Sequence, residues 1–119
     1  LFEIGSKNVE LLYVNSKANF ELGNNIQALK SVNELLEKQV SKEAFELRGD
    51  IYMNTKTYEF AIRDYSMFLD IEPYNATIYN KKGMARYNLG DREGACSDWD
   101  KAKRYGSYDA VKNLEKYCK

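Results

Sequence analysis

The sequence predicts an all-α chain in which one helical hairpin is used three times and closed by a seventh helix. Three observations predict it. Ala28, Ala61 and Ala95 recur 33 and 34 residues apart, and the residues around each recur with them. Ser16, Gly49 and Gly83 share one position and Phe20, Met53 and Tyr87 a second; Val32, Tyr65 and Trp99 share a third, and Leu35, Phe68 and Ala102 a fourth. The steps within each half are 4 or 3 residues, which places these positions on one face of a helix.

Residues 1–8 precede the first copy, and Leu1-Phe2-Glu3-Ile4 is expected to be the remnant of a preceding helix, since a chain without an initial methionine has been processed or cut from a longer one. The three units follow at about 9–41, 42–75 and 76–107. Within them the breaks Gly23-Asn24-Asn25, Lys56-Thr57 and Gly90-Asp91 separate two helices, because glycine ends a helix in the left-handed conformation and Asn, Thr or Asp caps the next. Ser41 and Ser107 mark junctions between units. Pro73 closes the second unit, since proline cannot continue a helix and suits the first turn of a new one. Residues 108–119 form the capping helix, with Tyr108, Val111, Leu114 and Tyr117 as its apolar stripe on an otherwise polar surface.

These residues resemble the tetratricopeptide repeat family over roughly residues 9 to 107. Tyr79 to Gly83, Leu89-Gly90-Asp91, Ala95, Trp99 and Ala102 make the best copy; Gly49, Tyr52, Tyr58, Ala61, Tyr65 and Pro73 make the second. The first copy is one residue short, has Ser16 in place of glycine and lacks the proline. The tract from Gly90 through Gly94-Ala95-Cys96-Ser97-Asp98-Trp99, with Tyr117-Cys118, also looks like a bacterial subgroup of these proteins. The resemblance implies a right-handed α-solenoid of three hairpins plus the cap, and a role in binding protein or peptide.

Physical chemistry supports the same architecture. One hairpin has too little apolar surface to fold alone and must stack on its neighbours. Small residues let paired helices approach, and ten tyrosines within an aromatic content of 13% fill the space between hairpins. A chain of 119 residues, 44% hydrophobic and 30% charged, makes one globular domain. Its longest apolar run falls far short of the ~18 residues of a membrane helix, so no membrane insertion is expected.

Charge and composition exclude several function classes. Eighteen basic and eighteen acidic residues cancel, and Lys101, Lys103 and Arg104 interleave with Asp98 and Asp100, so no nucleic-acid footprint is present. There is no histidine, which removes the Ser/His and Cys/His nucleophile systems and the common zinc sites. The pairs Asp98/Asp100 and Glu43/Glu46 read as surface carboxylates. Gly90 to Gly94 is glycine-rich but lacks the lysine and preceding strand of a phosphate loop. No enzymatic activity, metal or cofactor is expected. Cys96 and Cys118 have two readings: partly buried thiols in a reducing cytoplasm, which carries more weight, or a disulfide clamping the cap in a periplasmic or extracellular setting.

The register assigns a concave groove to the first helix of each hairpin. Its expected partner-binding residues are Tyr13 and Lys17 from the first unit, Glu46, Asp50 and Met53 from the second, and Asn80, Lys81, Met84 and Tyr87 from the third. Glu43, Glu46 and Asp50 would attract a basic segment, and Phe20, Met53 and Tyr87 are equally read as packing between repeats. The family's carboxylate clamp, which holds acidic C-termini, is not reproduced, because its positions read Tyr13, Lys17, Leu47, Thr77 and Lys81. The function expected is a non-catalytic scaffold holding a peptide segment. The alternative is a structural or oligomerisation spacer of a longer repeat protein, self-associating through its N-terminal face.

Overall fold

The computed structural model describes the backbone from residue 2 and side chains from residue 8 onward. Among the described residues it contains seven helices and no strand: α1 (Phe2–Glu21), α2 (Asn25–Lys38), α3 (Lys42–Asn54), α4 (Tyr58–Ile71), α5 (Ala76–Leu89), α6 (Arg92–Arg104) and α7 (Tyr108–Tyr117). Each packs on the next to form a solenoid 54 × 26 × 19 Å in extent. Residues 2–8, read as a separate segment, continue α1 without a break.

The turns share one hydrogen-bond design. The amide of the residue after each left-handed position returns to the carbonyl five residues back: Asn24 to Asn19 (2.8 Å), Thr57 to Tyr52 (2.9 Å), Asp91 to Arg86 (2.9 Å) and Ser107 to Ala102 (2.8 Å). This satisfies carbonyls that the helix leaves open. The left-handed residue is glycine at 23, 90 and 106 but Lys56 in the second hairpin, at φ +60°. Side-chain caps occur at Ser41, Asn75, Asp91 and Ser107, whose oxygens accept the amides of Ala44, Ile78, Gly94 and Ala110. Asn24 and Thr57, expected to cap, make no side-chain cap bond. Pro73 lies in the turn before Asn75 rather than in the first turn of α5.

The repeated small residues are explained by what they face. A Cβ on Gly49 would stand 2.6 Å from the Tyr65 ring, and one on Gly83 would stand 2.6 Å from the Trp99 indole. Glycine is therefore required wherever the second helix carries a large ring. In the first hairpin that residue is Val32, and Ser16 fits, its hydroxyl donating to the Ala28 carbonyl at 2.7 Å. Ala28, Ala61 and Ala95 are fully buried at the hairpin contacts.

The core runs as three clusters, one per junction. Ala28, Val32 and Leu35 of α2 meet Ala44, Leu47 and Ile51 of α3. Ala61, Tyr65 and Phe68 of α4 meet Ile78 and Ala85 of α5. Ala95, Trp99 and Ala102 of α6 meet Ala110, Leu114 and Tyr117 of α7. The cap's buried face differs from the expected stripe at its start. Tyr108 is 72% exposed and Ala110 is the buried residue. The reason is register: Ala110 lies three residues past its cap Ser107, as Ala44 and Ile78 lie three past Ser41 and Asn75.

Candidate functional site

Four of the nine expected groove residues line one cleft. Tyr13 and Lys17 of α1 face Glu46 and Asp50 of α3, with Phe20, Glu21, Glu43 and Leu47 completing a volume of about 260 Å³. Lys81 reaches across from α5 to two of the cleft's carboxylates. Its ammonium donates to Glu46 Oε2 at 2.8 Å and to both Asp50 oxygens at 3.1 Å. Burial pulls the Lys81 pKa down, but the hydrogen bond to Glu46 and the charge of Asp50 outweigh it, leaving the ammonium above its ordinary value. Asp50 also accepts the Tyr65 hydroxyl at 2.6 Å. Burial first, then the Asp50 charge, pushes that hydroxyl far above the usual tyrosine range.

Among the described residues, four carboxylates, Glu21, Glu43, Glu46 and Asp50, line the cleft against one lysine, Lys17, with Lys81 bonded to Glu46 and Asp50, and the cleft is net acidic. A second, more apolar cleft of about 290 Å³ adjoins it, lined by Val9, Glu10, Tyr13, Leu35, Gln39, Ser41 and Glu43. Tyr13 and Glu43 wall both, so the two form one continuous surface.

The other five expected residues lie elsewhere or serve another purpose. Lys81 is committed to the acidic pair. Met53 packs on the middle core cluster and Met84 on the last. Tyr87 sits between Trp99 and Tyr117, with ring centroids 5.9 and 4.4 Å away. Asn80 accepts the Asn113 side-chain amide at 2.9 Å, and its carbonyl accepts the Trp99 indole at 3.3 Å. Helix α7, packed on α6, therefore engages Asn80 and Tyr87 from beside α5.

That cap is held twice more. Cys96 and Cys118 form a disulfide with Cα atoms 6.0 Å apart, so of the two alternatives open in the sequence the structure carries the one given less weight. Arg92 donates to the carbonyls of Tyr117 and Lys119, both at 2.8 Å. Among the described residues no three His, Cys, Asp or Glu side chains converge to hold a metal ion. No described helix is long and apolar enough to cross a membrane.

Sequence reasoning missed Glu21 and the second cleft. Glu21 lies four residues past Lys17, a helical step that puts both on one face. Lys81 reaching Glu46 and Asp50 had no signal in spacing, because it spans two hairpins.

PcrH from Pseudomonas aeruginosa superposes with a TM-score of 0.87 at 20% identity, over 95% of this chain and 93% of that one. The first TPR of Spaghetti (RPAP3), bound to the HSP90 peptide SRMEEVD, gives 0.86 at 18% identity, over 95% and 92%. This chain has the tetratricopeptide-repeat fold. No family model matches the chain. In sequence, the mitochondrial import receptor subunit TOM70 of Homo sapiens is 31% identical over 90 residues, or 74% of this chain. The chain spans only 15% of that receptor's length, so the tetratricopeptide likeness concerns a segment of it.

Proposed function

We propose that this tetratricopeptide domain is a non-catalytic scaffold that holds a basic peptide segment of another protein in the cleft between α1 and α3. The observation that carries the reading is the excess of carboxylates around Tyr13, where the one nearby clamp-type lysine, Lys81, is already paired to Glu46 and Asp50. A partner lysine or arginine would meet Glu43 and Glu21 at the rim, while Tyr13, Phe20 and Leu47 supply apolar contact. Zero net charge supports a protein partner over a nucleic acid. The Spaghetti domain was solved on an acidic peptide. The carboxylates around Tyr13 would repel such a peptide here. The Gly90 to Trp99 tract supports placing the chain beside the bacterial subgroup of repeat proteins.

Fluorescence anisotropy with two labelled heptapeptides, SRMEEVD and a lysine/arginine-rich counterpart, tests this. The basic peptide is expected to bind at least about tenfold more tightly, roughly 1.4 kcal/mol, and to weaken as salt rises. Glu21→Lys with Glu43→Lys should remove the preference without altering the melt, since both side chains are exposed. Equal or tighter binding of SRMEEVD would overturn the assignment.

A further inference from the structure

The junction between α6 and α7 is built differently from the two before it. Helix α3 has five buried residues and α5 has three, Leu47, Ile51 and Ile78 among them, whereas α7 has Ala110 alone. Leu114 and Tyr117 pack on the last cluster while only partly buried. The position held by Leu29 and Ile62 in the first two hairpins, each packed on its core cluster, is Cys96 in the third. An apolar contact there gives way to a covalent bond, the one to Cys118 at the end of α7.

A helix of ten residues with one buried side chain has little hold of its own. Its polar ties are the Asn113 bond to Asn80 and the two Arg92 bonds to the Tyr117 and Lys119 carbonyls. The Arg92 bonds are exposed, so water competes for both partners. The bridge is therefore the main restraint on the C-terminal half of α7. It is also reachable. Both cysteines are half-buried and wall an open cleft of about 540 Å³ with Arg92, Glu93 and Lys119. Two cations against one carboxylate favour a thiolate arriving there and the thiolate that leaves. The residues beneath, Ala95, Trp99 and Ala102, form a cluster of their own with Ala110, separate from those of the earlier hairpins. In a stacked array each unit leans on its neighbours, so loss of the α7 contact is felt at α6 and α5 and not at α1 to α4.

We propose that the Cys96–Cys118 bridge is a latch worked by dithiol reductants: a dithiol opens it in the folded chain, and α7 then lifts from α6, baring the Tyr87 and Trp99 rings and freeing Asn80. One thiolate of the dithiol attacks a bridge sulfur; the protein S–S bond breaks, the other cysteine leaves as thiolate, and a mixed disulfide forms. The reductant's second thiolate then displaces the protein sulfur and closes its own disulfide. Two electrons pass to the protein, and the dithiol's two protons end on Cys96 and Cys118. The latch does not depend on the peptide reading.

The chain carries its own reporter, because Trp99 is its single tryptophan, fully buried and stacked on Tyr117 with ring centroids 5.6 Å apart. Dithiothreitol added to the oxidised full chain without denaturant should shift the Trp99 emission to the red and raise its quenching by acrylamide at least about threefold. Amide exchange should quicken at least about tenfold at residues 110–117 and stay within about twofold at 44–69. Reoxidation should restore both signals. Cys96→Ser with Cys118→Ser should show the reduced behaviour from the start and ignore dithiothreitol. A reduced chain that keeps Trp99 shielded and 110–117 protected would overturn the latch. So would reduction that proceeds only in denaturant, or exchange that quickens equally at 44–69, since the first denies access in the folded chain and the second makes the opening global.

Discussion

In the second hairpin Asp64 is gripped by Arg48 through two bonds, Nε to Oδ2 at 2.9 Å and Nη2 to Oδ1 at 2.8 Å, while Nη1 of the same arginine holds Asn33 at 3.1 Å. In the third hairpin Asp98 stands at the same position, equally buried, but Lys82 replaces Arg48. Asp98 Oδ2 has no hydrogen-bond partner, and Arg86 Nε approaches it only to 3.4 Å. The second hairpin closes its buried charge into a network that reaches back to α2. The third leaves an oxygen open and gains its cohesion from apolar rings, with Trp99, Tyr87 and Tyr117 mutually packed and the disulfide beside them. One backbone design thus tolerates polar or apolar reinforcement at the same slot.

The comparison breaks most visibly at Trp99. Trp99→Ala should destabilise by about 3 to 5 kcal/mol, since it opens the ring cluster beneath the cap. Chemical denaturation would show it, and a loss below about 1 kcal/mol would mean the rings do not hold the third hairpin. Asp64→Ala comes next, at about 2 to 4 kcal/mol, because it leaves the Arg48 guanidinium half-buried without its partner.

Asp98 should respond in the opposite direction. Burial, the largest influence, raises its pKa as it does that of Asp64, but here only the charges of Lys82, Arg86 and Lys101 offset it, with no hydrogen bond such as Arg48 gives Asp64. The folded state therefore holds the proton more tightly than the unfolded chain. Its contribution is present below the ordinary aspartate range and is lost as pH rises through the folded-state pKa. Asp98→Asn should accordingly stabilise by about 1 kcal/mol at pH 7, with the difference from the parent shrinking on acidification. Melts at several pH values check it; a variant less stable at neutral pH would show that Arg86 pairs Asp98 more strongly than the 3.4 Å separation implies. Smallest is Lys56→Gly, which relieves the left-handed strain peculiar to the second hairpin and should stabilise by about 0.5 to 1 kcal/mol.

The hairpins themselves were legible because their determinants recur in sequence: a small residue on one helix opposite a large one on the next, and Ser41 and Ser107 at the helix starts. Val32, Tyr65 and Trp99 could be aligned without knowing what they touched, and all three are buried. The groove was less legible. Spacing put Asn80 and Tyr87 on the concave side, but whether their side chains are free depends on where α7 lies, and Asn113 and Tyr117 engage them. Lys81 shows the same limit, since a flexible side chain found its carboxylates 31 and 35 residues away. Tyr108 departs from the expected stripe for a local reason: Ala110, three residues past the cap Ser107, sets the buried face of α7.

Amide chemical shifts recorded while the lysine/arginine-rich heptapeptide is titrated test most directly the claim that the acidic cleft between α1 and α3, and not the α5 surface engaged by the cap, takes the peptide. Perturbation is expected at residues 13–21 and 43–50, with 80–87 and 108–117 quiet. Shifts concentrated on α5 and α7 would contradict the account, as would the same pattern evoked by SRMEEVD.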